Sequence, residues 1–369
     1  MRDETLVVRA GHPPASQGTA FLPGPVFAGP FHAAGDPASA PFTYGRFHNP
    51  TWSGYETALG ELEGGPALVF ASGMAATTAI LGSVLRPGDV VLLPGESYYT
   101  TRVLTRGFFS EIGVEVRLVP TVGGISPDSV KGVKLVWLES PTNPGLDVCD
   151  IKASAATAHA AGALVAVDNT TATPLGQRPL ALGADFVLAS DTKSITGHGD
   201  LILGHVAVRD SAWADKLHTW RTQTGSVPGP FEVWLAHRSL STLAVRLERQ
   251  CDNAQTIAEF LAGRPDVIRV RYPGLPGDPA HSVAQRQMRR FGPIVSFEVA
   301  GRGEAERFLA ACLLLDEATS FGAVHTTAER RARWGGDSIG EGFIRLSAGC
   351  EHIDDLIADL AQALDRMRV

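Results

Sequence analysis

The chain has 369 residues, 44% of them hydrophobic, with a mean hydropathy of +0.05; this is enough apolar material for one large α/β unit with a smaller one appended, and it excludes a disordered chain. Lys and Arg number 32 against 39 Asp and Glu, a net charge of −7, which argues against a nucleic-acid partner. The four cysteines, Cys149, Cys251, Cys312 and Cys350, form no CxxC pair and no metal-ligand spacing, so they read as reduced thiols and no metal is expected.

Residues 1–5 carry mixed charge without the apolar run of a secretory leader. The apolar stretches at 164–167 and 186–189 are too short to span a bilayer. A soluble, cytoplasmic chain with no membrane partner is expected. Residues 1–50 are rich in Pro, Gly and Ala, with five prolines between positions 22 and 41; they read as an extended arm ordered against a neighbouring subunit.

From about residue 51 the pattern alternates. Helices are expected at 51–63, 74–85, 102–110 and 151–160. Short apolar strands are expected at 68–70, 89–93, 114–119, 134–139, 164–168 and 185–190. This order implies an α/β fold with a mostly parallel central sheet covered on both faces, whose ligands sit at the carboxyl ends of the strands. Residues 234–261 carry apolar side chains at helical spacing. Strands at 267–272, 294–299 and 343–347 then mix with helices at 305–313 and 353–366, suggesting a separate α+β C-terminal domain. The division read from this is 1–50, 51–232 and 233–369.

Chemistry-bearing residues fall just after these strands. Ser72-Gly73-Met74-Ala75-Ala76 joins a strand to a helix, where free N–H groups make an anion site; taken alone, Ser72 reads as a plain N-cap. Tyr98 is placed to stack on an aromatic ring or to fill an apolar groove. Asn143, in Glu139-Ser140-Pro141-Thr142-Asn143-Pro144, is placed to contact a ring hydroxyl, or belongs to a proline turn. Asp168 follows four apolar residues and suits a pyridinium nitrogen, or caps the next turn. Ser190-Asp191-Thr192-Lys193 offers hydroxyls and an amine, although a lysine after a strand is also an ordinary surface residue. The signal lies in their joint order, each at the end of a successive strand.

In this order the sequence resembles the Cys/Met-metabolism family of pyridoxal phosphate (PLP) enzymes, which includes cystathionine γ-synthase, cystathionine lyases and methionine γ-lyase. The matching segments also include Tyr44-Gly45-Arg46-Phe47-His48-Asn49-Pro50-Thr51, Gln177-Arg178-Pro179-Leu180 and Arg345-Leu346-Ser347. The resemblance implies the type I, aspartate-aminotransferase-like fold, with 51–232 as the PLP-binding domain, and a homotetramer made of two dimers. It implies Lys193 as the Schiff-base lysine and proton carrier, with Asp168 on the pyridine nitrogen. Tyr98 would stack on the ring and protonate a leaving group, and Asn143 would contact the ring hydroxyl. Ser72, Gly73, Met74, Ser190 and Thr192 would surround the phosphate, with Tyr44 and Arg46 reaching it from the neighbouring subunit. Arg345 would clamp the substrate α-carboxylate, helped by the backbone near Ser320.

Two departures stand out. Tyr98-Tyr99-Thr100-Thr101 replaces a common Tyr-Gly-Gly-Thr, and Val324-His325-Thr326-Thr327 replaces a common Val-Glu-Ser-Leu. The segment after the latter is Ala328-Glu329-Arg330-Arg331-Ala332-Arg333-Trp334-Gly335-Gly336. His325 is therefore expected on the substrate wall, and the three arginines either form a solvated basic face or recognise a distal carboxylate. The expected activity is cystathionine γ-lysis, with cystathionine γ-synthesis or elimination from another γ-substituted amino acid as the alternative. A non-catalytic PLP-binding sensor is the reading from a different class.

Overall fold

The structure, a computed structural model, describes residues 1–367. Its first sheet contains β1 (Ala67–Phe70), β2 (Val90–Pro94), β3 (Glu115–Val119), β4 (Leu135–Glu139), β5 (Leu164–Asp168), β6 (Phe186–Ala189) and β7 (Gly204–Val208), in the spatial order β1-β7-β6-β5-β4-β2-β3. Strands β2 to β6 are parallel, and β7 runs antiparallel to both of its neighbours. Strands β2, β4 and β6 are buried along their whole length, so their apolar runs show no alternation. One side of the sheet packs Leu93, Phe186, Leu188 and Val206 against helix Gly73–Val84; Leu92, Val136, Val165 and Val187 pack on the other side with helix Ile151–Ala160. The parallel strands thus deliver Pro94, Glu139, Asp168 and Ala189 to one edge of the layer.

The second sheet contains β8 (Arg269–Arg271), β9 (Ile294–Glu298), β10 (Asp316–Glu317), β11 (Thr327–Arg330) and β12 (Phe343–Ser347), ordered β10-β11-β12-β9-β8 and antiparallel except at β10–β11. Helix Ile353–Met367 buries Leu356, Leu360, Ala363, Leu364 and Met367 against this unit, an apolar stripe at helical spacing. Phe297, Phe308, Ile257 and Leu261 complete the core.

Three expectations change in detail. The arm begins with a helix, Asp3–Arg9, whose Val7 is buried. The run expected at 234–261 is two helices, Pro230–Leu240 and Leu243–Ala262. Between them the Ser239 carbonyl accepts Thr242 N–H at 3.2 Å in a tight turn, and also Arg246 Nη2 at 3.0 Å and Thr242 Oγ1 at 3.1 Å. The helix expected at 102–110 starts earlier, at Tyr99, and widens to a π-helical turn at Thr105–Phe109. Among the described residues no helix is long and apolar enough to cross a membrane, and no cluster of side chains could hold a metal ion.

Candidate active site

A cavity of about 510 Å³ lies at the carboxyl edge of the first sheet and is closed on one side by residues of the second unit. After β1 the chain enters helix Gly73–Val84. Ser72 caps it, its Oγ accepting from Ala75 N–H at 3.0 Å. The Gly73 and Met74 N–H groups have no acceptor among the described residues, as the first turn of a helix requires, and both residues line the cavity. Gly73 is needed for closeness: a Cβ there would lie 2.7 Å from Ser190 Cβ.

Asp168 ends β5 beside Glu139 at the end of β4, the two being register partners. Asp168 Oδ1 accepts from Thr170 N–H at 3.0 Å and Thr170 Oγ1 at 2.5 Å, while Oδ2 has no partner among the described residues. Glu139 accepts Tyr98 N–H at 2.5 Å and Asn143 N–H at 2.9 Å, so one buried carboxyl holds the backbones of two cavity residues. Burial pushes both carboxyls up, and each backbone hydrogen bond works against it.

Lys193 reaches the cavity floor from the loop after β6. Its Nζ donates to Ser320 Oγ at 2.7 Å. Burial and then nearby Arg345 lower its pKa to about 8, opposed by Glu329. Ser320 has φ +79°, a conformation unusual for a non-glycine residue; its carbonyl accepts Arg345 Nη2 at 2.6 Å. Arg345 Nη1 donates to Asn143 Oδ1 at 2.9 Å, and Asn143 Nδ2 has no partner among the described residues. Arg345 is only 3% exposed and stands immediately behind the wall formed by Asn143 and Ser320.

Tyr98, Asn143, Asp168, Ser190, Thr192, Lys193, Ser320 and the Ser72–Met74 turn therefore meet on one cavity. Thr192 Oγ1 is engaged with the Leu203 backbone, at 3.2 Å to its carbonyl and 3.0 Å from its N–H. Three expected residues lie elsewhere in this single chain. Tyr44 and Arg46 are exposed, with Arg46 Nη1 bonded to the Thr222 carbonyl at 2.8 Å. His325 is exposed and is not among the residues that line this cavity. Thr326 binds Glu351 through N–H at 2.6 Å and Oγ1 at 2.8 Å, and Val324 N–H reaches the Gly197 carbonyl at 2.9 Å; these bonds hold the segment away from the wall.

The wall is instead formed by Tyr99, Thr100, Arg331, Trp334, Gly336 and Asp337. Arg331 is not a solvated cation: it pairs with Glu329 at 2.9 Å and Asp337 at 2.8 Å. Arg330 pairs with Glu341 at 2.7 Å, and Arg333 with Glu317 at 2.8 Å and Glu329 at 3.1 Å. Sequence reasoning missed Glu329 and Glu139, because their roles depend on cross-strand register.

The free Asp168 Oδ2, the free Asn143 Nδ2, the orphan N–H groups of Gly73 and Met74, and the partly neutralised Lys193 fit PLP: an acceptor for a ring N–H, a donor for a ring hydroxyl, an anion seat and an amine. Fold and site together define a PLP-dependent enzyme of the type I, aspartate-aminotransferase-like fold. The profile of the Cys/Met metabolism PLP-dependent enzyme family matches residues 4–365, and the chain belongs to that family.

A Streptomyces coelicolor protein with a provisional cystathionine gamma-lyase name is 54% identical over 98% of this chain and 93% of its own length. The L-methionine gamma-lyase of Pseudomonas putida is 38% identical over 98% and 96%. The crystal structure of cystathionine gamma synthase from Xanthomonas oryzae pv. oryzae in complex with cystathionine superposes with a TM-score of 0.94 at 33% identity, covering 100% of this chain and 99% of that one. The chain is thus a PLP-dependent enzyme of the lyases and synthases that act on sulfur amino acids.

Proposed function

We propose that this enzyme is a cystathionine γ-lyase, forming cysteine, 2-oxobutanoate and ammonia. The observation that carries the reading is the 2.7 Å contact between Lys193 Nζ and Ser320 Oγ, on the floor of a cavity backed by Arg345. The 54% identity to the Streptomyces protein supports the choice of substrate.

PLP would be held by Lys193, Asp168, Asn143, Tyr98 and the Ser72–Met74 turn with Ser190 and Thr192; when bound, it supplies an electron sink that acidifies the substrate α-carbon. Arg345, already fixed by Glu329, Asn143 and Ser320, binds the α-carboxylate and orients the α-proton toward Lys193. Lys193 takes that proton, helped by a pKa near 8, and later moves a β-proton. Tyr98, 39% exposed and on the cavity lining, protonates the leaving sulfur.

The same proposal assigns 1–50 to an arm, 51–232 to cofactor binding and 233–369 to a C-terminal domain, the last boundary falling within helix Pro230–Leu240. It also places the protein in the cytoplasm as a homotetramer, in which Tyr44 and Arg46 reach the neighbouring subunit's phosphate. Supporting this, both residues are exposed, and Phe21 of the same arm is 90% exposed. Cystathionine γ-synthesis is the second reading, favoured by the 0.94 superposition on a synthase. Steady-state assays of the PLP-loaded enzyme with cystathionine, an O-substituted homoserine and methionine separate the two; no turnover of cystathionine would sink the lyase assignment.

A further inference from the structure

Below the cavity, the loop that carries Lys193 holds a second set of polar groups that the chemistry above does not use. Ser190 and Thr192 line the cavity, whereas Asp191 between them is fully buried. Asp191 Oδ2 accepts the Tyr55 hydroxyl at 2.9 Å, and Oδ1 meets His205 Nδ1 at 2.6 Å. The other ring nitrogen, Nε2, meets Glu63 Oε1 at 3.2 Å. Tyr55, Glu63 and His205 are 1% exposed or less. Tyr55 and Glu63 belong to helix Pro50–Glu63 and His205 to β7, so the chain of contacts ties three elements together.

A carboxylate on each nitrogen of one imidazole requires both nitrogens to donate, which makes His205 a cation. Burial opposes that charge, yet Asp191 and Glu63 outweigh it and raise the His205 pKa to about 10. The arrangement constrains the lysine loop. Lys193 N–H bonds the Ser190 carbonyl at 3.1 Å and Thr196 N–H bonds the Asp191 carbonyl at 3.0 Å, so the turn closes around Asp191. Turning Lys193 away from the cavity would rotate Asp191 out of its pairing and leave a buried ionised group without partners, which is strongly disfavoured.

We propose that Tyr55, Asp191, His205 and Glu63 form a buried relay that positions Lys193 and the hydroxyls of Ser190 and Thr192 for the cofactor. All four are positioning residues, acting through the loop, and the proposal rests on the reading of Lys193 as the PLP lysine. The test uses Asp191→Asn, His205→Gln, their double variant and Tyr55→Phe. Two quantities are measured at a temperature where the cofactor-free proteins are folded: the PLP dissociation constant, from absorbance titration, and the fraction of PLP trapped on Lys193 by borohydride at saturation, from peptide mass. Losing a hydrogen bond to a buried charge corresponds to about a tenfold rise in the dissociation constant for each of the first two variants.

The trapped fraction is expected to fall with the affinity, and the double variant is expected to be no worse than the weaker single one, because the groups act as a unit. Tyr55→Phe removes a single hydroxyl and reads the relay at about threefold even if the charge variants fail to fold. Variants that lose melting temperature but keep wild-type PLP affinity and trapping overturn the relay alone. Wild-type protein that traps no PLP on Lys193 overturns the cofactor-lysine reading, and the relay with it.

Discussion

Glu329 on β11 and Arg345 on β12 stand opposite each other in the sheet and pair at 2.5 Å, so the guanidinium assigned to the substrate carboxylate is already fixed before substrate arrives. Glu329 also accepts from Arg331 at 2.9 Å, Arg333 at 3.1 Å and Trp334 Nε1 at 2.8 Å. One carboxylate thus organises four donors, and it is itself fully buried.

Glu329→Gln is expected to destabilise the protein by about 3 kcal/mol, since it strands buried cations, and to raise KM. Burial would push the Glu329 carboxyl up, but Arg345, Trp334 and Arg331 hold it below its ordinary value. Its contribution is therefore complete above the usual carboxylate range, about pH 4.3, and is lost as pH falls through the depressed value. Urea unfolding across pH is expected to show the wild-type and variant curves separated at neutral pH and converging in acid. Parallel curves at every pH contradict this.

Gly204→Ala addresses the proposed phosphate seat. A Cβ at Gly204 would lie 2.6 Å from Gly73 N and 2.7 Å from Gly73 Cα, both backbone atoms that cannot swing aside. The variant is expected to lose about 2 kcal/mol through overpacking and to bind PLP more weakly, because the displaced turn carries the orphan N–H groups. Gly107→Ala, where a Cβ meets nothing within 4 Å, serves as the control and is expected to leave PLP affinity unchanged and the melting temperature no lower than that of the wild type.

The residues that meet on the cavity were legible because their placement is local. Apolar runs ending at Glu139, Asp168 and Ala189 announce strand ends, and the next few residues must face the cleft. The rest depends on distant pairing. Glu329 meets Arg345 only through the β11–β12 register, and His205 reaches Asp191 only because β7 returns antiparallel beside β6. The apolar 204–208 run follows a glycine-rich segment that hid its strand. Nothing local reveals that Thr326, next to His325, is bound to Glu351.

Trp334 is the large apolar side chain on the altered wall, 57% exposed at the cavity. Trp334→Ala is expected to raise KM for the proposed substrate, cystathionine, about tenfold while kcat stays within about twofold, as removal of apolar contact worth about 1.5 kcal/mol requires. Loss of its bond to Glu329 is expected to lower stability by about 1 kcal/mol. Steady-state kinetics decide the matter; a fall in kcat at unchanged KM would place the ring with the reacting atoms instead.

Lys193 offers the most direct electrostatic test. Burial and Arg345 lower its pKa to about 8, while Glu329 pulls the other way. In cofactor-free protein, amine modification of Lys193 followed by peptide mass against pH is expected to show a midpoint near 8, against about 10.4 for an ordinary lysine. Glu329→Gln removes the group that raises the value, so its midpoint is expected below that of the wild type. The sign of the linked stability follows. Between about pH 8 and pH 10.4 the unfolded chain keeps a proton that the native lysine has shed, so this group's contribution to stability rises with pH. Lys193→Met is expected to flatten that rise in urea unfolding between pH 7.5 and 10 (a range set by about the same two pKa values). A wild-type modification midpoint at the ordinary lysine value would mean that the amine is solvated and not poised to take a proton at neutral pH.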